Sequence, residues 1–325
     1  ASYYFMGALL GKEKYVQIYS TGGCNLGARP IDIHIDGFKA LGANVTIEGN
    51  KYILKADRLI GTDIYLRFQS VGATVNLMFA SVLAEGTTVI HNAAKEAEIE
   101  NIADFLISMG AKIEGAGTDE ITITGVEKLH GGNIRVLPDR IEAGTYIILG
   151  ALVGKNLKIT NIIPKHLEAL TNKLKDMASD ITINEDNIVI SKVDNLKPTN
   201  IKTLVYPGFP TDIGQPMSVL LTQANGTSLF EETIWENRMG HVPSLNKMGA
   251  NITVKGMSSM TIGPSKLHGC EVVATDLRGG AALVLAGLTA TGTTIINDVE
   301  HILRGYESIE SKLTNVGAKI EIREI

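Results

Sequence analysis

A cysteine, a set of helix-start acids and a set of arginines carry the chemistry this chain can perform. Cys24 is one of only two cysteines in 325 residues and lies in "STGGCNLGARPID", five residues before Arg29. A helix N-terminus and a guanidinium both lower a thiol pKa, so Cys24 reads as a reactive thiol or a general acid on a glycine-hinged loop. Cys270, in "KLHGCEVV", reads as packing at a strand start. Ser70, Asp139 with Arg140, Asp212 and Asp276 open apolar stretches 14 to 16 residues ahead of a glycine. Such residues cap helices, and acids repeated at equivalent starts also suit proton transfer; on sequence alone both readings stand. The segment "QSVGAT", bare at Gly72, suits a phosphate at a helix N-terminus. Arg29, Glu96, Lys165, Arg238 and Arg304 precede amphipathic stretches. Arginine in such a place is either solvated or grips carboxylate and phosphate with its planar fork. His34 falls one helical turn beyond Pro30, within reach of the same ligand. The seven histidines show no metal spacing, so no metal and no cofactor are expected.

These residues recur because the elements beneath them recur. The turns "ALGANVTI", "SMGAKIE", "DMASDITI", "KMGANITV" and "NVGAKIEI" place Gly42, Gly110, Ala178, Gly249 and Gly317 at intervals of 68, 68, 71 and 68 residues. Each closes an amphipathic helix and opens a strand. A second series, Gly11, Gly86, Gly154, Gly226 and Gly292, closes apolar helices, the first of them ending at Gly11. The repeat unit is βαβαββ. Helices such as "VGATVNLMFASVLA" and "GGAALVLAGLTA" are apolar all round, which places them inside each domain with sheets outside. Two domains are expected from the length, residues 1–137 and 138–325. The chain holds five units, which predicts a sixth ahead of Ala1.

Composition narrows the partners. Net charge is −5 with no basic run, which argues against nucleic acid and leaves local arginines to hold an anionic ligand. No run approaches the roughly 18 apolar residues of a membrane span. Residues 1–11 lack the features of a signal peptide, and the cysteine usage suits a reducing cytoplasm.

The segments "GGCNLGARPIDIH", "SVGATVNLM", "LPDRIEAGT", "YPGFPTDIGQP", "ENRMGHVP", "ATDLRGGAALVLAGL" and "HILRGYESIESKL" resemble, in order, those of the UDP-N-acetylglucosamine 1-carboxyvinyltransferase family. The resemblance implies an inside-out α/β barrel of two domains built from βαβαββ units. It implies transfer of enolpyruvyl from phosphoenolpyruvate to the sugar 3′-hydroxyl with release of phosphate, a step of peptidoglycan synthesis. On that pattern Cys24 protonates the enol methylene, Asp212 is the base on the 3′-hydroxyl, and Arg29 and Arg304 hold phosphoenolpyruvate. Arg238 and Asp276 line the same cleft, with Asp139, Arg140 and Glu96 as further substrate-binding candidates. Arg29, Pro30, Ile31, Asp32, Ile33 and His34, together with Ser70, Val71 and Gly72, hold the uridine diphosphate end, and Ile234 touches the nucleotide sugar. Gly214 stands where the family commonly has glutamine. The competing readings are a non-catalytic nucleotide-sugar-binding fragment and the related 3-phosphoshikimate 1-carboxyvinyltransferase.

Overall fold

The computed structural model describes residues 2–19 and 31–323, which fall into two compact units, one within residues 2–137 and one within 138–323. The first opens with α1 (Tyr4–Glu13), β1 (Tyr15–Tyr19), α2 (Asp32–Ala40), β2 (Asn44–Glu48) and β3 (Lys51–Lys55). It continues as β4 (Asp63–Tyr65), α3 (Val71–Ser81), β5 (Thr87–His91), α4 (Ala97–Ser108), β6 (Lys112–Glu114) and β7 (Glu120–Thr124). The second unit begins with α5 (Arg140–Val153), β8 (Leu157–Thr160), a 3-10 turn (Pro164–Leu167), α6 (Glu168–Asp176), β9 (Asp180–Ile183) and β10 (Asn187–Ser191). Next come β11 (Ile201–Lys202), α7 (Thr211–Leu221), β12 (Gly226–Glu231), α8 (Val242–Lys247), β13 (Ile252–Lys255) and β14 (Ser258–Gly263). It closes with β15 (Glu271–Val273), α9 (Leu277–Thr289), β16 (Ile295–Asn297), α10 (Glu300–Leu303) and α11 (Ile309–Asn315).

The repeat appears directly in the sheets. The orders β4-β5-β7-β6 and β11-β12-β14-β13 are the same path, a parallel crossover pair followed by an antiparallel hairpin. A parallel pair needs a helical crossover, which α3 and α7 supply. The sheets β1-β3-β2 and β8-β10-β9 repeat the hairpin half of that path, and β15-β16 its parallel half. The glycine turns explain the spacing. Gly42, Gly110, Gly249 and Gly317 have φ of 98°, 100°, 99° and 96°, a conformation costly for any residue with a Cβ. Ala178 occupies the same region at 59°.

Each unit has its own core. Helices α5, α7 and α9 pack on one another and bury Ile147, Ile148, Leu220, Leu283 and Tyr306. Fully burying such an aliphatic side chain contributes about 1.5–3 kcal/mol. In the first unit α1 lies against α3, burying Met6, Leu10, Leu77 and Met78. That approach requires Gly7, where any side chain would collide with the Asn76 carbonyl. One expectation of the second glycine series changes. Helix α1 does not end at Gly11 but runs to Glu13, with Lys14 taking the left-handed cap at φ 56°. Gly11 instead faces α3, where a Cβ would stand 2.8 Å from the Phe79 carbonyl oxygen. Gly154 does close α5, in extended geometry at φ −70°. At Gly214 a Cβ would stand 2.5 Å from Phe230 Cζ, so the ring occupies the room that a larger side chain at 214 needs.

Candidate functional site

The four helix-start residues are not alike. Ser70 caps α3, its hydroxyl accepting from Ala73 N–H at 3.2 Å. Asp139 caps α5, accepting from Ile141 N–H at 2.8 Å and Glu142 N–H at 3.0 Å. Asp276 caps α9, with Oδ1 accepting from Arg278 N–H at 3.1 Å and Gly279 N–H at 2.9 Å. Its Oδ2 accepts from Gln215 Nε2 at 3.2 Å and Thr275 Oγ1 at 3.3 Å. Asp212 is no cap. Pro210 holds the cap position of α7 and Asp212 is the second helical residue.

Freed from the backbone, the Asp212 carboxylate is taken by two arginines. Arg238 Nη2 pairs with Oδ1, and Arg278 Nη2 lies 3.4 Å from Oδ2. The Arg238 side chain is 4% exposed and that of Arg278 11%, whereas Asp212 keeps 37%. The acid is therefore the part of the cluster that a ligand meets. Desolvation works against its charge, but Arg238 and Arg278 outweigh it and hold its carboxyl below the usual range. Arg238 is locked on its other edges: Nε donates to Thr211 Oγ1 at 3.1 Å and Nη1 to Gln215 Oε1 at 3.3 Å. Arg278 lies over the Tyr306 ring at 5.3 Å, and the Tyr306 hydroxyl is 2.9 Å from Thr145 Oγ1. Burial opposes the Arg278 charge, and Tyr306 and Asp212 outweigh it and hold its pKa above the ordinary value.

The first unit gathers a second set. Asp32, in the first turn of α2, pairs with Arg67, whose Nη1 lies 3.7 Å from Asp36 Oδ2. Desolvation opposes the Asp32 charge, and the Arg67 hydrogen bond overrides it, so this carboxyl also lies below the usual range. His34 is 8% exposed; burial pushes its pKa down to about 4 against the pull of Asp32. Its Nδ1 lies 2.9 Å from Asn76 Nδ2, while Asn76 Oδ1 accepts from Gly7 N–H at 2.8 Å. Asn76 thus offers His34 a donor, and the neutral ring carries its proton on Nε2. That edge faces the start of α3, where a Cβ at Gly72 would stand 3.2 Å from Nε2.

Other sequence candidates fall in place unevenly. Cys24, Arg29 and Pro30 lie outside the described residues. Ile31 and Ile33 turn their side chains into the core, leaving only backbone for a ligand. Val71 begins α3, Glu96 precedes α4, and Arg140 lies 5.4 Å from the Tyr206 ring. Ile234 is exposed on the segment after β12, and Arg304 is exposed beyond α10. Sequence reasoning passed over Gln215 and Arg278. The signal for Arg278 was its place two residues after Asp276, at a helix start already singled out.

Helices inside and sheets outside, in βαβαββ repeats, are the fold of the enolpyruvyl transferases. The crystal structure of the enolpyruvyl transferase NikO from Streptomyces tendae matches with a TM-score of 0.88 at 26% identity, over 98% of this chain and 76% of that one. EPSP synthase from Acinetobacter baumannii shares the fold, with a TM-score of 0.76 at 20% identity over 99% of this chain and 78% of that one. The protein-family model described as EPSP synthase (3-phosphoshikimate 1-carboxyvinyltransferase) matches residues 1–313. In sequence the chain is 55% identical to UDP-N-acetylglucosamine 1-carboxyvinyltransferase 2 of Bacillus subtilis over 98% of its own length and 75% of that protein. It is 55% identical to UDP-N-acetylglucosamine 1-carboxyvinyltransferase of Clostridium botulinum over 98% and 77%. The chain belongs to the UDP-N-acetylglucosamine 1-carboxyvinyltransferase family.

Proposed function

We propose that this protein transfers the enolpyruvyl group of phosphoenolpyruvate to the 3′-hydroxyl of UDP-N-acetylglucosamine, with release of phosphate, as a cytoplasmic step of peptidoglycan synthesis. Family membership supports the reaction, and the state of Asp212 supports the assignment of roles. Cys24 gives a proton to the methylene carbon, and C2 of phosphoenolpyruvate becomes oxocarbenium-like. The 3′-hydroxyl oxygen bonds to C2 while its proton passes to Asp212. A carboxylate held below the usual range is a weak base toward a resting hydroxyl. It takes the proton only as the new C–O bond makes that hydroxyl acidic. The tetrahedral ketal then returns a proton from its methyl carbon to the Cys24 thiolate as the C–O bond to phosphate breaks, restoring the thiol and the double bond on the new sugar ether. Arg238 and Arg278 are fixed before the reaction, so the charge of Asp212 needs no rearrangement to be held. In the first unit, the start of α3 with Ser70, Val71 and Gly72, beside His34 and Asp32, is suited to the uridine diphosphate end. Arg304 and Arg29 are assigned to phosphoenolpyruvate, and Ile234 to the nucleotide sugar. Cys24 is the expected target of fosfomycin, and the two small-molecule substrates are its proposed partners.

The observation that carries the role of Asp212 is that its carboxylate caps nothing and is offered, half-exposed, between two buried arginines. The test is phosphate release from phosphoenolpyruvate with each of two acceptors. Release with UDP-N-acetylglucosamine and none with shikimate 3-phosphate is expected; the reverse pattern overturns the reading.

A further inference from the structure

Glu232 follows β12, is 2% exposed, and was singled out by nothing in the sequence. Burying a carboxylate is costly unless donors satisfy it, and four do. Oε1 accepts from Thr203 Oγ1 at 2.9 Å, Ile234 N–H at 2.7 Å and Trp235 N–H at 3.1 Å. Oε2 accepts from Thr211 Oγ1 at 2.8 Å. A carboxylate has no proton to give, so both hydroxyls must donate to it. A threonine hydroxyl has one proton, and each oxygen is then left as an acceptor. Thr203 Oγ1 accepts from Thr233 N–H at 2.8 Å, and Thr211 Oγ1 accepts from Arg238 Nε at 3.1 Å. With Nε committed, the planar guanidinium cannot turn about its own axis, and it presents Nη1 to Gln215 and Nη2 to Asp212.

We propose that Glu232 is a positioning residue for Asp212. It sets the direction of the Thr211 hydroxyl, the hydroxyl fixes the roll of Arg238, and Arg238 holds the carboxylate that receives the proton. Through the amides of Ile234 and Trp235 it ties the segment bearing Ile234 to the same anchor. The catalytic part of this inference rests on the enolpyruvyl-transfer reading; the geometric part does not.

Glu232→Gln is nearly isosteric. Three donors keep the amide oxygen on the Thr203 side, so the amide NH₂ faces Thr211. That hydroxyl then receives two donors and its own proton loses its acceptor. The expected result is a loss of kcat of about ten- to a hundred-fold, as for other small displacements near a reacting centre, with KM for both substrates within about threefold. Thr211→Val should reproduce the loss, and Thr211→Ser, which keeps the hydroxyl, should restore kcat. The double variant Glu232→Gln/Thr211→Val should fall no more than about threefold below the lower single variant, because both act through one chain of bonds. The Arg238 Nε–H signal in ¹⁵N spectra should shift in Glu232→Gln and Thr211→Val and stay in Thr211→Ser. A Glu232→Gln protein with lowered Tm but unchanged kcat and unchanged Arg238 signal overturns the proposal, as do losses that multiply. If the unsubstituted protein turns over neither acceptor, the functional reading fails alone, and the Arg238 signal still decides the positioning. If Glu232→Gln does not fold, the Thr211 pair decides it.

Discussion

The starts of α7 and α9 carry the same residue type and lie within one hydrogen-bonded cluster, yet they put the acid to different uses. At α9, Asp276 stands just outside the helix in extended geometry and gives one oxygen to two backbone amides and the other to Gln215 and Thr275. Its charge is consumed in holding the helix. At α7, proline occupies the cap position and the acid lies two residues inward, as the second residue of the helix, where its carboxylate pairs with side chains instead of the free amides. Pro216 adds to the opening, because it has no N–H to give the Asp212 carbonyl four residues before it. An offset of two residues relative to the cap turns a structural acid into one available to side chains and ligand.

The largest expected effect falls on the cation that α7 recruits. Arg238→Met removes a buried guanidinium and leaves Asp212, Gln215 and Thr211 with lost partners. We expect about 3 kcal/mol of lost stability, at the lower end for a broken buried pair because Asp212 is partly exposed. Thermal or denaturant unfolding checks it, and a loss below that of Asp276→Ala would break the comparison.

Acid separates the groups by sign. The folded pKa of Asp212 is lowered, so its stabilising contribution is complete above about pH 4 and is lost only as pH falls further. His34 and His241 are buried with pKa values pushed down to about 4, chiefly by desolvation. Asp32 opposes the shift at His34; at His241, which sits 2.7 Å from Ser218 Oγ on α7, Asp276 and a backbone hydrogen bond with Arg238 oppose it and the Arg238 charge reinforces it. The unfolded chain protonates these rings near pH 6.5 and the folded one does not. Stability should therefore decline from about pH 6.5 to about 4, by up to about 1.4 kcal/mol per pH unit for each histidine. His34→Gln and His241→Gln should flatten that decline. A decline confined to pH below 4 would assign it to the acids instead.

The smallest effects test the cap itself. Asp276→Ala should cost about 1 kcal/mol or more and Asp276→Asn less, since asparagine keeps the bonds to the Arg278 and Gly279 amides and loses only those from Gln215 and Thr275. Equal losses for the two would mean that the charge of Asp276, and not its cap, is what α9 uses.

Much of this was legible in advance, and the particular residues show why. Gly42, Gly110, Gly249 and Gly317 mark left-handed turns that few other residues tolerate, so their spacing exposed the repeat and with it the fold. Gly11 misled because a glycine can also serve close helix packing, which spacing does not distinguish from a helix end. The helix-start residues were legible as a set, but their division into three caps, Ser70, Asp139 and Asp276, and one carboxylate held by side chains, Asp212, was not, because it turns on a two-residue offset from the cap position at Pro210. Arg278, Gln215 and Glu232 stayed hidden because their roles exist only once β12, α7 and α9 are brought together.

The central claim is that Asp212 serves chemistry where Asp276 serves the helix. It is tested most directly by measuring kcat and Tm for Asp212→Asn and Asp276→Asn side by side, with phosphoenolpyruvate and UDP-N-acetylglucosamine. The account predicts a fall in turnover of about 10²-fold or more for Asp212→Asn, as when a positioned base is lost. For Asp276→Asn it predicts turnover within about tenfold of the unsubstituted protein, since the cap survives the change. Comparable turnover for the two variants, or a larger loss for Asp276→Asn, would contradict it.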